Sequence, residues 1–426
     1  MKIAILHYHL NPGGVTRIIE MQLAALLAQK EITEIQVFSG AKESSITIPS
    51  GVEFIYNPVL NYLDCSKLNG NGIDMKYNRM IDFFLDETSP DTIIHAHNMN
   101  LGKNPILTAV LNNLVDERKI VNHIHDFAED RQANINALGK LIEKDLGKSL
   151  LGTMYPDHKN CHYAVLNSSY VERLAQLSIP TECVSLLPNP VSVTNISVQD
   201  EIIKAKEKAQ KLLKVNPKLL NYVYPVRGIR RKNLGEFILL ASLFKDKANW
   251  ITTLPPLNPV EKVEYDKWKD FCIQEQIPLF FEAGEICAFG EVMALADRCV
   301  TTSTKEGFGM VFMESWLFGM PIVGRDLPVS KDFRDAGIKF DGLYQTLNHD
   351  GIDFAELDQQ QQMTLIKDFS DNPDLSNSFI AENPSLKNIF KDFSIEFINA
   401  NRELIKQQYS VENYGKNLLS IYKTFV

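Results

Sequence analysis

Short apolar runs with strand character alternate with helical stretches along nearly the whole of this 426-residue chain. That alternation is the pattern of parallel sheets covered by helices. In the first half the runs fall near Lys2–Tyr8, Glu34–Ser39, Val52–Tyr56, Thr92–His97, Ile120–His125, Tyr163–Asn167 and Val184–Pro188. Helical patterns such as Val15–Gln29, Ile106–Glu117 and Tyr170–Leu177 lie between them. After Asn189-Pro190-Val191 the pattern restarts with Leu219–Pro225, Trp250–Leu254, Leu279–Glu282, Arg298–Thr302 and Pro321–Val323. The expectation is an α/β protein of two doubly wound, Rossmann-like domains, residues 1–190 and 191–410. Residues 352–408 read as helical and polar. The last stretch, 411–426, reads as an amphipathic helix with Tyr414, Leu418, Leu419 and Tyr422 on one side.

One segment carries most of the chemistry. Ser303-Thr304-Lys305-Glu306-Gly307-Phe308-Gly309-Met310 runs into a helical pattern from about Gly309 to Phe318, which Gly319 stops before Pro321 opens the next strand. The first turn of a helix presents unpaired N–H groups and the positive end of the macrodipole, which suits an anion. The glycines leave room for a ligand to approach the main chain. Glu306 precedes that turn and Glu314 follows it, so a diphosphate with hydroxyl-rich groups on either side would use all three parts. A nucleotide sugar has that form.

Glu306-Gly307-Phe308-Gly309 through Glu314, with Gly319-Met320-Pro321 after it, resembles the paired-glutamate signature of retaining GT-B glycosyltransferases, nearest to family 4, the glycosyl transferases group 1 superfamily. The resemblance implies the GT-B fold: two Rossmann-like domains facing across a cleft, with a terminal helix crossing back to the first. It also implies a hexosyl unit moved from a UDP- or GDP-linked sugar to a hydroxyl, with retention of configuration. Glu306 would bind sugar hydroxyls and Glu314 the ribose, with Gly307, Phe308, Gly309 and Met310 against the donor.

Two further loops fit that expectation. Asn11-Pro12-Gly13-Gly14-Val15-Thr16-Arg17 follows the first strand, where adjacent glycines allow a sharp turn and close approach. It lacks the dinucleotide fingerprint, so no NAD is inferred. It resembles the family's Gly-Gly loop facing the diphosphate and acceptor, and Thr16 or Arg17 is a candidate for an anionic acceptor, beside a capping or surface role. The second loop, Arg227-Gly228-Ile229-Arg230-Arg231-Lys232, crowds cations at the end of a strand in an acidic protein. Arginine offers a planar fork to phosphate and lysine a mobile point charge. It resembles the family's basic segment, which places Arg227 and Lys232 on the diphosphate; Val226 replaces the usual glycine, and Arg230 and Arg231 are extra, Arg230 being a candidate for the acceptor.

Six of the nine histidines fall in three pairs, His7/His9, His95/His97 and His123/His125, at strand ends. Residues i and i+2 of a strand share a face, so each pair could grip a metal. They motivate a rival, a metal-dependent hydrolase, which leaves Glu306, Glu314 and the basic loop unexplained. Under the family resemblance, His125 meets the donor sugar with Asp126 steering its imidazole, and no metal is required. A non-catalytic nucleotide-sugar-binding relative is a third reading.

A formal net charge of −9 argues against nucleic acid as the main partner. No run approaches the roughly 18 apolar residues of a membrane span. The N-terminus reads as a buried strand rather than a signal peptide. Six cysteines, Cys65 among them, show no metal or redox spacing and read as buried thiols. A cytoplasmic enzyme is expected. Lys140, Lys144 and Lys148 on a helical pattern over Leu138–Leu150 suggest at most weak contact with anionic lipid, since Glu143 and Asp145 dilute them. The acceptor is expected to be a soluble sugar or small molecule.

Overall fold

The computed structural model describes residues 1–64, 68, 70–192 and 199–425, with only the backbone of Gln199 and Asp200. Cys65 and Val426 lie outside the described residues. The chain forms two compact units, Met1–Ser192 with Tyr409–Val426, and Val193–Gln408.

The first unit is built on strands β1 (Lys2–His7), β2 (Glu34–Ser39), β3 (Val52–Tyr56), β4 (Ile93–His97), β5 (Lys119–Ile124), β6 (Cys161–Val165) and β7 (Val184–Leu186). They make one parallel sheet in the order β3-β2-β1-β4-β5-β6-β7. Central strands covered on both faces read as continuous apolar runs, which is why Ile3 to Leu6 and Cys161 to Val165 are buried throughout.

Helix Gly14–Leu27 and the terminal helix Val411–Lys423 cover one face. The terminal helix is capped by Ser410, whose hydroxyl accepts from the Asn413 amide at 3.1 Å. Its apolar stripe, Tyr414, Leu418 and Tyr422, packs in one core with Ile3, Ile5, Ile18 and Leu23. Leu419 is buried too. Gly415 is needed there, because a Cβ would lie 3.0 Å from the Ala25 carbonyl oxygen. The Val191 amide donates to the Tyr409 carbonyl at 2.8 Å, so the departing and returning chain run side by side.

The second unit carries β8 (Leu220–Arg227), β9 (Ala248–Leu254), β10 (Leu279–Phe280), β11 (Arg298–Thr301), β12 (Ile322–Arg325) and β13 (Gly342–Tyr344). The sheet is parallel, in the order β10-β9-β8-β11-β12-β13. β13 and a small hairpin of Asn348–His349 with Ile352–Asp353 fall where no strand is expected from the sequence. From there to Gln408 the chain is helical. The expected helix over Leu138–Leu150 is different: an α-helix ends at Gly139, Lys140–Asp145 continues as one π-helical turn, and a new helix starts at Leu150. Among the described residues no helix is long and apolar enough to cross a membrane.

A buried ionic cluster anchors the second unit. Glu236, wholly buried in helix Leu234–Leu243, accepts from Arg325 at 2.6 Å and from the Tyr344 hydroxyl at 2.7 Å. Arg325 also donates to both oxygens of Asp353, at 2.7 and 2.8 Å. Burial pushes the Glu236 carboxyl up while Arg325 opposes it. Removing one member strands a buried charge. Arg325→Met is expected to cost about 3–5 kcal/mol in urea denaturation; a loss below about 1 kcal/mol, the surface-pair scale, contradicts this assignment.

Candidate functional site

In a doubly wound sheet, ligands gather outside the carboxyl ends of strands where the order reverses. In the second unit that point is β8/β11, since the chain leaves β8 toward β9 and β10 but leaves β11 toward β12 and β13. The basic loop follows β8 and the glutamate segment follows β11, so both sequence motifs stand at one switch point.

The two loops are fastened to each other. The Lys232 ammonium donates to Glu306 Oε1. That oxygen also accepts from the Ser303 hydroxyl at 2.7 Å. The Lys232 and Glu306 side chains are only 14% and 8% exposed. The Tyr224 hydroxyl lies 2.8 Å from both the Lys232 carbonyl oxygen and Ser303 Oγ. The Thr302 hydroxyl donates to the carbonyls of Lys232 and Asn233, and the Thr304 amide donates to that of Arg231 at 2.9 Å. Burial pushes the Lys232 ammonium below the ordinary lysine range, and the Glu306 carboxylate opposes that shift.

The other cations of the basic loop are open. Arg227, Arg230 and Arg231 are exposed. Arg227 Nη1 donates to the Pro255 carbonyl at 3.2 Å, and Arg231 Nη1 lies 3.8 Å from Glu306 Oε2. Asn233 closes the loop in a left-handed conformation, φ 46°, and its amide donates to Glu236 at 2.9 Å. The ionic cluster thus supports the basic loop from behind.

The helix after Glu306 begins later than the sequence suggests. It spans Val311–Leu317 with Met310 as its cap. Gly309 has φ +79°, a left-handed conformation that cannot be the first helical residue, and a Cβ there would meet the Phe312 ring at 2.8 Å. Phe308 is buried against Phe333 at 5.3 Å, while Gly307 and Glu314 are half-buried. Gly319 ends the helix at φ +80°, as expected, with the Met320 amide donating to the Ser315 carbonyl.

In the first unit the switch point is β1/β4. Gly13 caps helix Gly14–Leu27 in an extended conformation, φ 176°, so the turn itself does not demand glycine. A Cβ on Gly14 would meet nothing within 4 Å, which leaves this edge open to a ligand. Thr16 is buried and donates to the Asn11 carbonyl at 2.7 Å, so its hydroxyl serves the loop. Arg17 is exposed.

Parallel pairing of β4 with β5 sets His97 opposite His123 and brings both histidine pairs together on one buried face. His97 Nδ1 lies 2.8 Å from His125 Nε2, and His95 Nε2 lies 3.1 Å from His123 Nδ1. Gln22 Oε1 is 2.8 Å from His97 Nε2, and the Tyr422 hydroxyl is 2.8 Å from His95 Nδ1. His7 joins the cluster edge-on to His97 at 6.2 Å. Nitrogens of His95, His97 and His123 lie within 4.8 Å of one another, close enough for a metal, yet those of His95 and His97 are all engaged in the hydrogen bonds above.

The amides of His125 and Asp126 both donate to Asn98 Oδ1, at 2.8 and 3.1 Å, so the chain after β5 is fixed at the backbone. Asp126 is half-buried. Lys103, whose Nζ stands 5.8 Å from the Tyr62 ring centre, is pushed down by burial and by Arg131, with Asp126 opposing.

Sequence reasoning missed Gln22, Lys103, Arg131 and Glu236; it paired His97 with His95 only as a possible metal grip and read Tyr422 only as part of an apolar stripe. The available signal was a polar residue inside an apolar run: Gln22 within the helix Gly14–Leu27, and Glu236 within Leu234–Leu243.

Burial holds this cluster neutral. His7 is pushed down to about 4 by burial and by His9 beside it, and His95 to about 3 by burial and by His125. Burial likewise holds His97, His123 and His125 well below the ordinary value. The unfolded chain protonates each ring near 6.5, the folded chain only far below it, so unfolding takes up protons and stability falls as pH drops below that value. Urea denaturation is expected to show a loss on the order of 5 kcal/mol between about pH 7.5 and 5.5. Constant stability over that interval contradicts a neutral cluster.

No family model matches this sequence. The chain is 29% identical over 403 residues to the mannosylglucosyl-3-phosphoglycerate synthase of Petrotoga mobilis, covering 88% of this chain and 76% of that protein. Among solved structures it is similar to Anabaena HepE in complex with UDP-glucose, with a TM-score of 0.61 at 15% identity over 99% of this chain and 98% of the other. Sucrose-phosphate synthase from Thermosynechococcus elongatus gives a TM-score of 0.62 at 13% identity over 99% and 98%. Trehalose-6-phosphate synthase OtsA gives 0.61 at 11% over 99% of both chains. Two parallel-sheet Rossmann-like units and these likenesses place the chain in the GT-B fold.

Proposed function

We propose that this protein is a glycosyltransferase that moves a hexosyl unit from a nucleotide sugar to a hydroxyl of a small, soluble, anionic acceptor. The observation that carries the reading is the largely buried Lys232–Glu306 pair at the β8/β11 switch point, with Arg231 3.8 Å from Glu306 and Arg227 and Arg230 exposed in the same loop. An ammonium held by one carboxylate is available to a more highly charged anion. When a diphosphate takes Lys232, Glu306 is released, and a carboxylate freed at that position accepts hydrogen bonds from sugar hydroxyls. Donor capture is then an exchange of partners rather than the filling of an empty slot.

Departure of the nucleoside diphosphate breaks the bond from the anomeric carbon to the phosphate oxygen, and the electron pair leaves with that oxygen. Arg227, Lys232 and the backbone about Gly309 and Met310 supply the charge that stabilises it. The acceptor hydroxyl attacks the same face, and its proton passes to the departing phosphate, which gives retention. Glu314 is proposed to hold the ribose hydroxyls, and His125 a hydroxyl of the transferred sugar. With this charge supplied by side chains, no divalent ion or further cofactor is required.

The relative's name describes a product containing mannosyl, glucosyl and phosphoglycerate parts. It favours a mannosyl donor and an acceptor bearing phosphate and carboxylate. Lys103, Arg131 and Arg17 in the first unit are the cations proposed to meet that acceptor.

Thermal stabilisation across a panel of UDP- and GDP-linked sugars, with and without EDTA, tests the reading. The right donor is expected to add about 2.7 kcal/mol at a hundredfold excess over its dissociation constant. EDTA is expected to change nothing; a panel without any shift, or a shift that EDTA removes, contradicts the proposal. Arg227→Ala and Lys232→Ala are each expected to lower kcat by about a hundredfold or more. Glu306→Gln removes the competitor for Lys232, so it is expected to bind free nucleoside diphosphate up to about tenfold tighter while losing turnover. Weaker binding by that variant contradicts the exchange.

A further inference from the structure

The histidine network of the first unit has a direction, and Gln22 sets it. An amide oxygen only accepts, so Gln22 Oε1, 2.8 Å from His97 Nε2, places the His97 proton on Nε2. His97 Nδ1 is then a lone pair. It lies 2.8 Å from His125 Nε2, which must therefore carry the proton. The remaining nitrogen of His125, Nδ1, is left as an acceptor, with no partner among the described residues.

The other arm of Gln22 gives the same sense. Its Nε2 only donates, and it lies 3.3 Å from the Tyr422 hydroxyl. That hydroxyl accepts from Gln22 and donates to His95 Nδ1 at 2.8 Å, and His95 Nε2 donates to His123 Nδ1 at 3.1 Å. Turning the Gln22 amide over would reverse every link and make Nδ1 of His125 a donor.

We propose that Gln22 and His97 are positioning residues that lock His125 in the tautomer with Nδ1 unprotonated, so that it accepts a hydrogen bond from a sugar hydroxyl. Tyr422, on the terminal helix, accepts from the Gln22 side-chain amide and relays the same sense to His95. The sugar as ligand rests on the glycosyl-transfer reading; the tautomer does not. An acceptor-only nitrogen selects a hydroxyl at that position over an ether, a fluoride or a carbonyl, none of which can donate to it.

The test is a two-bond nitrogen–proton spectrum of the full chain labelled with [15N]histidine, at about pH 7.5, beside steady-state kinetics. His125 of the unaltered protein is expected to show a single species, protonated on Nε2 and bare on Nδ1. A proton on Nδ1, or an average of both tautomers, overturns the proposal even if no variant folds. Gln22→Met is expected to mix the tautomers and lower kcat about tenfold, with the donor KM within about twofold. Gln22→Glu, whose carboxylate still accepts from His97 Nε2, is expected to keep the original tautomer and recover most of kcat. A Gln22→Met protein that loses stability alone, with tautomer and kcat unchanged, overturns the positioning role. Absence of turnover with every donor overturns the transfer reading instead, and the spectra then decide the tautomer by themselves.

Discussion

An ammonium and a carboxylate with little access to water, Lys232 and Glu306, tie together the loops that leave β8 and β11. A pair of this kind is a poor way to gain stability, since desolvating both ions consumes most of what their attraction returns. It persists because Tyr224 and Thr302 hold the Lys232 backbone and Ser303 holds the Glu306 carboxylate where the pair needs them. Behind it, Asn233 passes the restraint to Glu236, and Glu236 to Arg325 and Asp353. The buried ionic cluster that anchors the second unit therefore also supports the loop after β8. That loop stands where a parallel sheet leaves its strand ends open.

The first unit treats its own switch point differently. There the polar groups on the buried face are neutral imidazoles rather than ions, matched nitrogen to nitrogen and to Gln22 and Tyr422. Neutral rings cost far less to bury than charges, and their hydrogen bonds carry direction, which ion pairs do not. One unit offers concentrated charge with replaceable partners. The other offers uncharged groups with fixed donors and acceptors.

Much of the fold was legible in the sequence because buried parallel strands are written as unbroken apolar runs. Glu34–Ser39 and Val52–Tyr56 have the observed limits, and the terminal helix buries Tyr414, Leu418 and Tyr422 as its spacing implies. β13 was missed because three residues, one of them glycine, carry no pattern. The start of the helix at Val311 depends on the left-handed Gly309, and conformation at a single glycine is not written in its neighbours. The π-helical turn at Lys140–Asp145 keeps helical spacing in sequence and so passed as an ordinary helix. The histidine network was half legible. Each pair announced a shared face, but the meeting of the two pairs depends on β4 lying beside β5 in one register, which is a property of sheet order. The basic loop and Glu306 were each visible, while their contact comes from β8 and β11 being neighbours across a crossover of some seventy residues.

The most direct trial of the exchange at Lys232 is a crystal structure of the full chain with a UDP- or GDP-linked hexose bound. The account predicts a diphosphate outside the carboxyl ends of β8 and β11, within hydrogen-bond distance of the Lys232 ammonium, and Glu306 turned from that ammonium to the sugar. A diphosphate bound elsewhere, with Lys232 still on Glu306, or a cation lodged among His95, His97 and His123, would contradict it.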